Sequence, residues 1–135
     1  MDIKEAFEGS GYSSWLETLT QYQQQGGDLN AHHPDSGWTL LHLAVEMERS
    51  DVIRWLVDHG ADVNATTTEG WTPLHHAVDI DLDGAIQMGA MITLATTTLL
   101  IQLGADESVV DKRLGTPRDI AAAYGHTDKY DAIDR

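Results

Sequence analysis

The stretch GWTLLHLAV at residues 37–45 recurs one repeat later as GWTPLHHAV at residues 70–78. A second motif keeps nearly the same period, because GGDLNA at 26–31 returns as GADVNA at 60–65. Less exact copies of the two motifs are GADESV at 104–109 and GTPRDIAAAYGH at 115–126. Self-similarity at a fixed period indicates a repeat protein, in which neighbouring units stack to bury one continuous core.

Each unit has the signals of two helices. Thr39, Thr72 and Thr116 stand where a first helix should begin, and Pro73 and Pro117 follow at the first helical position. Apolar residues then recur at helical spacing, and the glycine of the GAD motif ends the second helix. The polar residues that follow predict a hairpin loop.

These motifs resemble the ankyrin repeat, whose pattern is roughly G-x-T-P-L-H-x-A-A followed by G-A-D-x-N-A. The resemblance implies an all-α solenoid of about four helix-turn-helix units with hairpin loops. We predict a single domain over residues 1–135. Its units are an N-terminal capping unit at 1–31, repeats at 32–65 and 66–109, and a C-terminal capping repeat at 110–135.

The third unit is longer than the second, because Gly104 follows Thr72 at a greater separation than Gly60 follows Thr39. We predict an insertion near 79–89 that forms an extended loop, followed by a lengthened second helix over 85–103. The side chains expected on the buried side of that helix are Ile86, Ala90, Ile92, Leu94, Ala95, Leu99 and Leu100.

The chain carries 22 acidic and 8 basic residues, a formal net charge of −14. Such a surface repels phosphate backbones and anionic lipids, so we expect neither a nucleic acid nor a membrane as partner. A protein with a basic surface is the expected partner, and the free chain is expected to be a monomer. The absence of cysteine and the lack of a signal-like start favour a cytoplasmic location.

The resemblance also implies a contact surface, formed by hairpin tips, the residue between Gly and Thr, and the end of each first helix. Trp38 and Trp71 stand in register between Gly and Thr, which predicts an aromatic ridge beside acidic residues. The full set of predicted partner-binding residues is Asp35, Ser36, Trp38, Glu46, Met47, Thr68, Glu69, Trp71, Asp79, Ile80, Asp81, Asp83, Lys112, Arg113 and Tyr124.

Asp79, Asp81 and Asp83 reproduce the first half of an EF-hand calcium loop. The twelfth loop position, which should supply a bidentate carboxylate, is Ala90. We therefore predict no cofactor, and these three carboxylates remain weak metal candidates. A calcium- or metal-responsive regulatory module is the corresponding alternative function.

No nucleophile elbow, phosphate-binding loop, dinucleotide fingerprint or HExxH helix occurs, so we do not predict an enzyme. A hydrolase using His75, His76 and Asp79 would need a metal-bearing cleft that holds those side chains together. The expected function is a non-enzymatic protein–protein interaction module. Its most concrete form is a stoichiometric inhibitor of a cationic protein, similar to immunity proteins, and a plain scaffold subunit is a further alternative.

Overall fold

A computed structural model describes all 135 residues, which form eight α-helices and no named strand. The helices follow one another as four pairs, which confirms the predicted all-α solenoid. The pairs are α1 (Ile3–Glu8) and α2 (Trp15–Gln24), α3 (Leu40–Glu46) and α4 (Ser50–Asp58), α5 (Pro73–Met88) and α6 (Ala95–Gln102), and α7 (Pro117–Ala123) and α8 (Thr127–Asp131).

The three threonines begin helices as the sequence predicts. Thr39, Thr72 and Thr116 are the N-caps of α3, α5 and α7, and each side chain accepts a hydrogen bond from the backbone N–H three residues later. The side chain of that third residue accepts a bond from the threonine N–H in return, which completes a capping box. Each first helix therefore starts at a fixed point relative to its hairpin.

Two buried histidines connect the second and third units to the hairpin of the unit that follows. The N–H of Thr39 donates to Nδ1 of His42, so the proton of the neutral ring is on Nε2, which donates to the carbonyl of Trp71 at 2.8 Å. His75 makes the equivalent bond to the carbonyl of Gly115 at 2.9 Å. These bonds satisfy backbone groups in the hairpins and set the spacing of neighbouring units.

The hydrophobic interior consists of two clusters. The larger one holds 17 buried residues and is built mainly from the first three units. The smaller one joins the third unit to the fourth, and its members are Val78, Leu82, Leu94, Ile120, Ala121 and Tyr130. Helix α5 contributes to both clusters, so it is the element that connects them.

The insertion lengthens the first helix of the third unit, so the extended loop predicted near 79–89 is wrong. Helix α5 continues through this segment because Leu74, Val78 and Leu82, spaced four residues apart, keep one helical face buried. The helix ends at Gly89, which has a left-handed φ of 62°. The second helix begins only at Ala95 and is not lengthened.

Of the seven residues predicted on the buried side of a helix over 85–103, some are buried and others are exposed. The buried members are Leu94, Leu99 and Leu100, and Ile92 is half-buried. The exposed members are Ile86, Ala90 and Ala95. They are exposed because they lie on the protruding end of α5, in the following loop and at the start of α6, where no neighbouring unit covers them.

Glu48 has a left-handed backbone with φ of 51°, although it is not a glycine. The equivalent position in the fourth unit is Gly125, with φ of 77°. Because a side chain is strained in this region, we expect Glu48→Gly to raise the free energy of unfolding by about 0.5–1 kcal/mol, measured by urea denaturation. Gly125→Ala is the matched control and should lower it. A Glu48→Gly protein less stable than the wild type would contradict this reading.

Candidate functional site

An open groove of about 360 Å³ runs past the hairpins of the second, third and fourth units. It is lined by Ser36, Trp38, Thr67, Thr68, Glu69, Trp71, Asp111, Arg113 and Leu114. Six of these were among the predicted contact residues, namely Ser36, Trp38, Thr68, Glu69, Trp71 and Arg113. Both tryptophans therefore face one common groove.

His76 holds the two tryptophans in place. The indole Nε1–H of Trp71 donates to Nδ1 of His76 at 3.2 Å, and the ring of Trp38 meets the same imidazole edge-on with centroids 4.9 Å apart. Because Nδ1 accepts, the proton is on Nε2, which donates to the Glu46 carboxylate at 2.6 Å. The sequence offered His76 only as a metal or hydrolase candidate, and its role as a support for the groove was missed.

Trp71 is fixed at two further points. Its ring stacks on His75 with centroids 5.3 Å apart, and its carbonyl accepts the hydrogen bond from His42. An aromatic side chain that is already ordered loses little conformational freedom when a partner binds. The half-buried Trp71 is therefore a preorganised contact residue.

A smaller pocket of about 250 Å³ lies between α5 and α7. Leu114 lines both spaces, so they lie side by side. The pocket is lined by Asp79, Leu114, Asp119, Ile120, Ala123 and Tyr124. Burial and the hydrogen bond from the Tyr124 hydroxyl to Asp79, at 2.7 Å, raise the pKa of Tyr124, so its hydroxyl remains a donor. Leu114 and Asp119 were not among the predicted contact residues.

The acidic groups of the groove are only partly neutralised. Glu69 pairs with Arg113 at 3.0 Å. Asp111 is buried, yet the N–H groups of Leu114 and Arg113 outweigh that burial and lower its pKa. Elsewhere, four of the remaining basic side chains are committed to ion pairs: Lys4, Arg49, Arg118 and Arg135. Most of the negative charge of the chain is therefore left uncompensated.

Several predicted contact residues lie outside the groove and the pocket. The Asp35 carboxylate is 4.0 Å from the Lys4 ammonium, and the Lys112 ammonium donates to the carbonyl of Thr68. Met47 is exposed at the end of α3, and Ile80 is half-buried on α5. None of these four side chains lines the groove or the pocket.

Asp81, one of the predicted contact residues, caps a neighbouring helix in the structure. Its carboxylate accepts hydrogen bonds from the N–H and the hydroxyl of Thr97, at 2.9 and 2.8 Å, and thereby caps the start of α6. Burial raises the pKa of Asp81, although the bonds from Thr97 act in the opposite direction. The sequence did not show this role because the two residues belong to different helices.

The calcium-loop interpretation is wrong for the same segment. Asp79, Asp81 and Asp83 lie on a continuous helix, and Asp83 accepts from Gln87 on that same helix while the other two bind separate partners. No group of three His, Asp or Glu side chains stands close enough to hold a metal ion. An EF-hand loop needs its carboxylates to converge on one ion, and here they do not.

The alternative hydrolase site is not formed either. Both ring nitrogens of His75 are bonded, to Thr72 and to the carbonyl of Gly115, and both of His76 are bonded to Trp71 and Glu46. Neither imidazole has a free nitrogen that could serve as a base. The two rings therefore have structural roles.

The family described as "Ankyrin repeats (3 copies)" matches residues 6–88. The Neurogenic locus Notch protein of Drosophila melanogaster is 40% identical over 75 residues, which are 56% of this chain and 3% of that protein. The human Neurogenic locus notch homolog protein 2 is 32% identical over 118 residues, covering 80% of this chain and 5% of that protein.

Among solved structures, the ankyrin repeat domain of Bcl-3, a member of the IkappaB protein family, superimposes with a TM-score of 0.68 at 26% identity. The match covers 89% of this chain and 48% of that one. The chain thus spans only a small part of the Notch relatives and about half of the Bcl-3 domain. No helix is both long and apolar enough to cross a membrane. On the family match and these repeats, the chain belongs to the ankyrin-repeat family, whose members are protein–protein interaction modules.

Proposed function

We propose that this protein binds a partner protein with a basic surface and inhibits it stoichiometrically, in the manner of an immunity protein. The contact face consists of the groove, the pocket beside it and the bordering Glu46 side chain. The observation that carries the proposal is the pair of ordered tryptophans, Trp38 and Trp71, in a groove on a chain with a net charge of −14.

The tryptophans supply the affinity in this proposal. Large aromatic side chains that are partly buried and already held in place are the residues that most often dominate an interface. Trp38 and Trp71 are both half-buried, and His76 links them. A partner side chain inserted between them gains apolar contact without having to order the site first.

The charges supply the rate of association. Opposite fields on two proteins steer their encounter and raise the on-rate, most strongly at low salt. Glu46, Glu69 and Asp79 stand on or beside the contact face, and Glu46 and Glu69 are exposed. A basic partner is therefore attracted to the same side that carries the tryptophans.

The test begins with affinity capture of a partner from the native lysate, using Trp38→Ala/Trp71→Ala as the control bait. The on-rate of the captured protein is then measured against the triple variant Glu46→Lys/Glu69→Lys/Asp79→Lys at several salt concentrations. We expect the on-rate at low salt to fall by roughly tenfold or more, with the difference shrinking as salt is added.

The matched control is Glu17→Lys/Asp58→Lys/Asp128→Lys, which changes the net charge equally on exposed positions of the second helices α2, α4 and α8. An equal loss of on-rate in both triple variants would show that net charge alone acts and that the face is wrong. Partner activity at a 1:1 ratio then decides the role: loss of activity supports an inhibitor, and full activity in the complex indicates a scaffold subunit.

A further inference from the structure

We propose that the pocket between α5 and α7 binds one arginine side chain of the partner. This inference rests on the proposed function and specifies which group of a basic protein the contact face receives. The six residues that line it, Asp79, Leu114, Asp119, Ile120, Ala123 and Tyr124, are called the arginine pocket below.

The walls and the size of the arginine pocket suit a single long side chain. Four of its six lining residues are aliphatic or aromatic, so they cover the methylene stem that an arginine carries. Its volume of about 250 Å³ is below the range of roughly 300–1,000 Å³ that is usual for sites of whole small molecules. A folded segment does not fit such a space, whereas one side chain does.

The polar groups of the pocket suit a cation with several donors. Asp79 uses Oδ1 to accept from Tyr124, and Asp119 uses Oδ2 to accept from the N–H of Thr116. Oδ2 of Asp79 accepts no hydrogen bond from the protein and is left for a further donor. The hydrogen bonds from Thr116 lower the pKa of Asp119, which keeps this carboxylate ionised.

No basic side chain lines the pocket to neutralise these two carboxylates. Arg118, the neighbour of Asp119 in sequence, forms a two-point ion pair with Asp131 on α8. A guanidinium from a partner can therefore supply the positive charge that the lining of the pocket lacks. Arg113 does not supply it, because it lines the larger groove and pairs with Glu69.

Arginine fits better than lysine for physical reasons. A guanidinium is planar, presents five N–H donors and is less strongly hydrated than an ammonium, so it enters a partly apolar pocket more easily. It can bond two carboxylates that stand on different helices and stack on an aromatic ring such as Tyr124. Leu114 lines both this pocket and the tryptophan groove, so a partner segment lying in the groove passes close enough to place its arginine here.

The test uses the whole isotope-labelled chain and two small probes, N-acetyl-arginine methylamide and N-acetyl-citrulline methylamide. Citrulline has nearly the same shape as arginine but carries no charge. Amide NMR spectra are recorded as each probe is titrated. We expect the arginine probe to shift the amides around Ile120 and Tyr124 saturably, and the citrulline probe to bind roughly tenfold more weakly or not measurably.

Asp79→Asn/Asp119→Asn should weaken the arginine probe by roughly tenfold, since each amide keeps an oxygen for its internal bond but loses the charge. Asp128→Asn/Asp134→Asn removes two exposed charges elsewhere and should leave binding unchanged. Equal binding of both probes to the wild type, or arginine shifts that survive the first double variant, would overturn the proposal.

The outcome is separable from that of the proposed function. If the arginine probe shifts no amides but the charge-reversed variant still associates more slowly with the partner, the arginine pocket is wrong and the inhibitor proposal stands. If the arginine probe shifts the amides but the charge-reversed variant associates with the partner at the wild-type rate, the pocket is supported and the face does not steer association.

Discussion

Lowering the pH from 7 to about 4 is expected to reduce the free energy of unfolding by about 3 kcal/mol through His42 alone. Burial lowers the pKa of His42 from 6.5 to about 4, even though its bond to the Trp71 carbonyl acts in the opposite direction. Protonation also places a hydrogen on Nδ1, which normally accepts a hydrogen bond from the N–H of Thr39, so two donors then face each other. The neutral ring is therefore required by the fold.

The sign follows from proton uptake. Between pH 6.5 and about 4 the unfolded chain binds a proton at this histidine and the folded chain does not, so acidification favours unfolding. The contribution is fully present above the unfolded pKa and is lost as the pH falls to the folded one. Burial lowers the pKa of His75 as well, so that ring acts in the same direction.

Urea denaturation at a series of pH values measures this effect against two variants. His42→Gln cannot titrate, so the stability difference between it and the wild type should shrink by about 3 kcal/mol from pH 7 to 4. Gln24→Ala, at an exposed position that does not titrate, should keep the wild-type pH dependence. Parallel curves for the wild type and His42→Gln would contradict the prediction. Acidification also reduces the charge repulsion within a chain of net charge −14, but this effect is the same in the wild type and in His42→Gln, so it cancels in their difference.

Leu82→Ala is expected to lower the free energy of unfolding by about 2–5 kcal/mol. Leu82 belongs to the inserted part of α5, yet it is fully buried and belongs to the cluster that joins the third unit to the fourth. Truncating it leaves a cavity in a cluster of only six buried residues. A loss of this size is a large fraction of the total stability of an ordinary domain.

Ile86→Ala is the matched control, because Ile86 stands one helical turn later on α5 and is 50% exposed. It should change the stability by no more than about 0.5 kcal/mol. Thermal unfolding followed by circular dichroism measures both variants. If Leu82→Ala were as mild as Ile86→Ala, the inserted segment would be a loose loop, as the sequence first suggested.

The fold was predictable where the signal is local and repeated. Thr39, Thr72 and Thr116 each begin a helix by satisfying N–H groups within three residues, so the sequence alone shows them. The insertion was mispredicted because alternating aspartates are typical of turns. Contacts with residues distant in sequence keep this segment helical instead. Leu82 packs on the fourth unit, and Asp81 caps the next helix, which begins only at Ala95.

In the candidate site, too, the repeated features were predictable from the sequence and the contacts between distant residues were not. Trp38 and Trp71 could be assigned to one face because they occupy the same place in two repeats. The support from His76 depends on Glu46 and Trp38, which belong to the preceding unit and are distant from it in sequence. Leu114 and Asp119 follow no repeat pattern that would mark them, because the last unit departs from the motif at those positions.

The modest size of the second hydrophobic cluster has a consequence for how the molecule behaves over time. With six buried residues against 17 in the larger cluster, the final helix pair is the segment expected to detach first, in brief excursions that leave the other units intact. Helix α7 supplies half of the arginine pocket, so a ligand binds only those molecules in which the final helix pair is packed on the third unit. The apparent affinity of the ligand is therefore reduced in proportion to the fraction of molecules in that packed form. Amide protons of α7 and α8 would exchange faster than those of α4, and occupancy of the pocket would slow them selectively.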